Sequence, residues 1–96
     1  MGIFYLGGIM ETRVALIGII VQNNESVPKL NSILSEYGEY IIGRMGVPYS
    51  AKGMNIISVA CDAPQNIISS LSGKIGALKG ITAKTIYAGQ NNEKTN

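Results

Sequence analysis

The sequence predicts an α+β domain with the element order βαββαβ: a four-stranded antiparallel sheet with two helices on one face. Three observations point there. Four Val- and Ile-rich runs alternate with two stretches of helical periodicity, and turn-forming residues stand at the junctions. The chain of 96 residues is also long enough for one two-layer core and too short for two domains, which typically run to about 100–200 residues each.

Residues 13–23, RVALIGIIVQN, lack Pro and are too short and β-branched for a good helix, so they read as a strand. Val14, Leu16, Gly18 and Ile20 fall on one face and Ala15, Ile17, Ile19 and Val21 on the other, the pattern of a central strand buried on both sides. After the polar residues 22–25 a helix opens, with Ser26 as N-cap and Pro28 in the first turn, where its missing N–H is harmless. Val27, Leu30, Ile33, Leu34 and Tyr37 share one face of that helix, and Gly38 is its stop. Residues 39–47 and 55–61 are the second and third strands, joined by a long loop at 48–53. Asp62 and Gln65 have the spacing of a capping box, with Pro64 in the first turn of a helix whose face is Ile67, Ile68, Leu71, Ile75 and Leu78. Gly76 and Gly80 loosen its end, and residues 81–88 alternate as a fourth strand.

This order favours a ferredoxin-like sandwich with strand order 4-1-3-2 and both helices on one face. The single domain is expected at 11–89. Residues 1–10 would be an N-terminal extension, since Met10 before Glu11, Thr12 and Arg13 resembles a second start, and 90–96 a polar, disordered tail. Chain direction brings the loop at 22–26, the hairpin at 48–53 and the turn at 78–80 to one end, with the start of the first helix.

Eight Lys or Arg against six Asp or Glu give a net charge of +2, and only 15% of residues are charged, against roughly 25% in soluble domains. With 46% hydrophobic residues and a mean hydropathy of +0.20, the chain carries more apolar surface than a small monomer hides. The helix-free sheet face is where that excess must lie, so a homo-oligomer, dimer or tetramer, is expected. The apolar runs at 3–10 and 14–21 are each shorter than the ~20 residues of a spanning helix and are separated by Glu11 and Arg13. No membrane association is therefore expected. The first run also lacks the basic start of a secretory signal, so the expected location is cytoplasmic.

Most chemistry sought in the sequence is missing. The chain has no His and one cysteine, Cys61, which removes a disulfide framework, a thiolate metal cage and the commonest metal ligand and general base. Around Gly73 and Lys74 the phosphate-loop positions hold Ile68 and Ile75, and the third strand has no aromatic residue for stacking RNA bases. Glu36 and Glu39 read as a solvated corner, Cys61 as a small buried hydrophobe, and no residue is assigned a catalytic role. No cofactor is specified. One polar constellation is assembled by topology: Asn23, Asn24, Ser26, Tyr49, Lys52 and Lys79, with the first helix's N–H groups, for a small anion or an amino-acid-like carboxylate. Ordinary capping and surface polarity are the plainer account of the same residues. Arg44, followed by Met45 inside an apolar strand, must face an edge, a partner or a ligand, and both are assigned to a subunit interface.

The run ETRVALIGIIVQNNESVPKLNSILSEYGEYIIGRMGVPY, followed by GMNIISVACDAPQNIISSLSGKIGALKGITAKTIYA, resembles the iron-only hydrogenase system regulators. The resemblance spans 11–88, and its most telling pieces are YGEYIIGRMGVPY at 37–49 and SLSGKIG at 70–76. That family is similar in fold to ACT-like regulatory domains and to the C-terminal sensor domain of the nickel-responsive repressor. The resemblance implies a regulatory role connected with [FeFe]-hydrogenase or its maturation in an anaerobe. The repressor's metal site does not carry over, because its His and Cys ligands have no counterpart here. Nor does its DNA-binding module, for which the twelve residues before Arg13 are too few, and a charge of +2 without a basic stripe gives direct DNA binding no electrostatic footprint. ACT domains commonly place their effector at subunit interfaces beside the loop that corresponds to 22–26 here, although their usual Gly near the helix start is replaced by Ser26 and Val27. Two readings lead: a ligand-sensing regulatory oligomer, and an adaptor for a protein partner of the hydrogenase system. An enzyme ranks last.

Overall fold

The β-branched run Arg13–Val21 forms strand β1, and the computed structural model, which describes residues 11–89, builds the rest of the fold around it. Helix α1 is Val27–Glu36, strand β2 is Ile41–Tyr49, strand β3 is Met54–Ala63, helix α2 is Gln65–Gly76 and strand β4 is Ile81–Tyr87. The sheet order is β2-β3-β1-β4 with every pair antiparallel, the expected ferredoxin-like arrangement. The expected extension at 1–10 and tail at 90–96 lie outside the described residues. Among the described residues no helix is long and apolar enough to cross a membrane.

The core lies between the sheet and the helix layer. Ala15, Ile17, Ile19 and Val21 of β1 alternate inward and meet Ile57, Val59 and Cys61 of β3, while Leu30 and Leu34 of α1 and Ile68, Leu71 and Ile75 of α2 close over them. Each Val, Leu or Ile side chain among them contributes about 1.5–3 kcal/mol by leaving water.

The other face of β1 is not buried among the described residues. Val14 and Leu16 are nearly half exposed, because both helices pack on the opposite side and none of the described residues covers them. The register places Leu16 between Ala60 of β3 and Ile86 of β4, and Ile20 between Ile56 and Thr82. Met45, Val47 and Tyr49 of β2 continue this face through their partners Ser58, Ile56 and Met54. Met45 and Ile86 stand out most, at 66% and 68% exposure.

Local signals were overridden at three places. The hairpin at 48–53 is tighter than expected, since Pro48 pairs with Asn55 and Tyr49 with Met54, leaving a 3-10 turn at Ser50–Lys52 closed by Gly53 in the left-handed region. β2 is an edge strand, so Pro48 has no second neighbour to serve with an N–H. The Asp62–Gln65 capping box does not form: β3 runs on through Asp62, which pairs with Val14, and the N-cap position of α2 falls on Pro64 with no side-chain cap. The Gln65 amide oxygen instead accepts from Arg13, and its Nε2 lies 3.3 Å from the Tyr87 hydroxyl. At the end of α1, Gly38 does not take a left-handed φ but begins a 3-10 turn, Gly38–Tyr40, leading into β2.

Candidate functional site

The end of the molecule expected to gather three loops does gather them. Gln22 N–H donates to the Gly80 carbonyl at 2.7 Å, Ser26 Oγ donates to the Lys79 carbonyl at 2.7 Å, and Asn55 Nδ2 donates to Asn24 Oδ1 at 3.2 Å. These bonds tie the β1–α1 loop to both the α2–β4 turn and the root of the hairpin. Gly80, with φ +71, makes the closest approach: a Cβ there would stand 2.5 Å from the Cβ of Asn23.

Much of the polar capacity of this end is engaged internally. Asn23 caps a 3-10 turn, Asn24–Ser26, by accepting the Glu25 N–H at its side-chain oxygen. The Ser26 N–H goes to the Asn23 carbonyl and the Val27 N–H to the Asn24 carbonyl, and Pro28 has none, so three backbone positions at the helix entry offer no free donor. Ser26 holds the N-cap position of α1, yet its side chain is spent on Lys79. The structure therefore brings together Asn23, Asn24, Ser26 and the backbone of Lys79. Lys52 sits exposed in the hairpin turn, the Lys79 residue is exposed, and the register places Tyr49 on the helix-free face.

Arg44 and Met45 separate. Arg44 pairs with Val59, whose side chain faces the helices, and its Nη1 donates to Asn31 Oδ1 of α1 at 3.2 Å. Met45 points to the helix-free face beside Ser58. A bulge between Ile41 and Gly43 leaves Ile42 as an extra residue on this strand, 64% exposed.

Arg44 marks a groove of about 260 Å³ between α1 and β2. Val27, Leu30 and Ile57 contribute its apolar lining, and Asn31, Arg44 and Asn55 its polar groups. Asn55 also lines a neighbouring hollow of about 250 Å³ with Asn24 and the hairpin, so the two depressions meet at Pro48 and Asn55. A larger hollow of about 430 Å³, beside Pro28, Ile33 and Leu78, has only Lys29 and Ser32 for polar side chains. Arg44 was legible as a misfit in an apolar strand. Asn31 and Asn55 were not, because nothing local distinguishes them from surface amides.

Elsewhere the titratable groups have structural explanations. Cys61 is fully buried, its thiol pushed up by burial and by the nearby Asp62 charge. Glu36 lies 3.4 Å from Lys74, both partly exposed, which makes it one end of a surface ion pair. Tyr37 is held below its usual range by its 3.0 Å hydrogen bond with Ser70 and by Lys74, whose ammonium is raised in turn by Tyr37 and Glu36. Among the described residues no cluster of His, Cys, Asp and Glu has metal-binding geometry.

Comparison with known proteins bears on the whole fold. No curated protein matches the chain. The solved structure of the uncharacterized protein TM1266 from Thermotoga maritima superposes with a TM-score of 0.77 at 29% identity, covering 80% of this chain and 98% of that one. Residues 13–85 match the TM1266-like family, described as "Iron-only hydrogenase system regulator, putative". That match spans β1 to β3, both helices and the first five residues of β4, and the chain accordingly belongs to the TM1266-like family.

Proposed function

We propose that this protein is a ligand-sensing regulatory domain of the iron-only hydrogenase system that works as a homo-oligomer and acts through a protein partner. The family description supports the regulatory role. The observation that carries the oligomer is the helix-free sheet face, where Val14, Leu16, Met45, Val47, Tyr49, Ile56 and Ile86 remain 40–68% exposed. Such a contiguous apolar surface is larger than soluble monomers usually leave in water. A second copy is a suitable cover. The register places two charges on this face, Lys84 opposite Gly18 and Asp62 opposite Val14, which are opposite in sign, and projecting Met45 and Ile86 stand beside the small residues Gly18, Ser58 and Ala60, a relief that can interlock with itself about a two-fold axis. Ligand sensing draws on the groove beside Arg44 and on the polar end formed by Asn23, Asn24 and Ser26 with Lys52 and Lys79 nearby in the chain's loops. Action through a partner rather than by direct DNA contact is supported by the net charge of only +2, a weak electrostatic footprint for a phosphate backbone.

Native mass spectrometry of protein purified without oxygen tests this reading. A defined multiple of 10.2 kDa with a stoichiometric small adduct is the expected spectrum. A monomer, or an oligomer that retains no ligand but captures a hydrogenase maturation protein in stable stoichiometry, would favour the adaptor reading over the sensor.

A further inference from the structure

We propose that the groove between α1 and β2 binds a short aliphatic carboxylate, with Arg44 as the anion-binding group and Asn31 and Asn55 orienting the ligand. This rests on the ligand-sensing reading and gives its ligand a chemical class and a place. Arg44 is the central observation. A guanidinium presents five N–H donors in a planar fork suited to a carboxylate, and one Arg44 hydrogen bond is found among the described residues, to the neutral amide of Asn31. The ion pair found among them joins Lys74 to Glu36 and leaves Arg44 without a carboxylate partner. A cation held over an apolar groove by a neutral hydrogen bond retains its attraction for an anion and the donors to form a bidentate pair.

The lining fits the rest of such a molecule. Val27, Leu30 and Ile57 provide apolar surface for a carbon chain, and about 260 Å³ holds the equivalent of about nine water molecules at ~30 Å³ each. That volume suits a small metabolite. Asn55 donates one Nδ2 hydrogen to Asn24, which steadies the side chain, and its second Nδ2 hydrogen is the donor it can offer a carboxylate. Gly46 keeps the groove open. It does not have a positive φ, and a Cβ there would meet Ile57 Cγ1 at an ordinary 3.7 Å, so neither backbone conformation nor crowding demands glycine. A side chain at this position would occupy the space the ligand needs. Because the groove spans the edge strand and α1, a bound carboxylate would clamp the two together, and β2 also carries Met45 and Val47 of the proposed subunit interface.

The test is a titration of the full chain, labelled with nitrogen-15, with butyrate and glutarate as probes and with butanol and butylamine as controls of similar size. Saturable backbone shifts at Asn31, Arg44, Gly46 and Asn55 are expected with the carboxylates only. R44Q should weaken them at least about tenfold, the loss of a charge-assisted pair. G46V should do the same without changing any charge, and it serves if R44Q fails to fold, since a β-branched residue suits a strand. No saturable shift, an equal response to butylamine, or undiminished binding in a folded R44Q would overturn the assignment. So would an R44Q chain whose carboxylate binding is intact but whose oligomer dissociates, which would make Arg44 an interface residue. If native spectra retain a ligand of another chemistry while both carboxylates are inert, the groove assignment fails and the sensing reading stands.

Discussion

At the residue scale, Gly80 holds the proposed ligand end together by being small and left-handed. Its φ of +71 costs about 1–2 kcal/mol for any residue with a Cβ, and here the added carbon would also meet Asn23 at 2.5 Å. Gly53 has a similar φ of +64 with open space around it. G80A should therefore destabilise the protein clearly more than G53A in urea unfolding, and equal effects would mean that the Asn23 contact relaxes without cost. Cys61 gives a second test. Its thiol is pushed above the ordinary value of 9.0 by burial and by Asp62, so the folded chain keeps its proton where the unfolded chain loses it. Stability contributed at this site is then intact below 9.0 and falls as pH rises past it. Unfolding free energies of wild type and C61A should converge as the solution becomes alkaline, and a constant difference would contradict the burial argument.

Elements separate core from cover. Leu71 of α2 is 1% exposed, and L71A should cost about 2–5 kcal/mol by leaving a cavity. Ile86 is as large but 68% exposed, and I86T measured at a dilution that favours single chains should change stability by less than about 0.5 kcal/mol. If I86T costs as much as L71A under those conditions, the helix-free face is buried within the chain after all. The contrast also marks what the sequence made legible. Apolar runs bounded by turn-forming residues named all four strands, and the second apolar face of β1 announced a cover that the described residues do not supply. Helix starts were less legible, because a capping signal is local while its competitors are distant: Gln65 is taken by Arg13 and Tyr87, and Ser26 by Lys79. The groove was half legible for the same reason. Arg44 broke an apolar strand visibly, whereas Asn31 and Asn55 acquire meaning only when the fold sets α1 beside β2 and β3.

For the whole molecule the account turns on the sheet's uncovered face, since fold, low charge and regulatory family membership all accommodate an assembly in which one copy covers another. Met45 lies within that face and is 66% exposed in the single chain, so M45E should leave the fold intact while placing a charge where it would be desolvated. Sedimentation equilibrium of wild type beside M45E is the most direct measurement. The account predicts a defined multiple of 10.2 kDa for wild type at micromolar concentration and a folded monomer for M45E. A wild-type monomer of 10.2 kDa, or an M45E oligomer unchanged in mass and affinity, would contradict it.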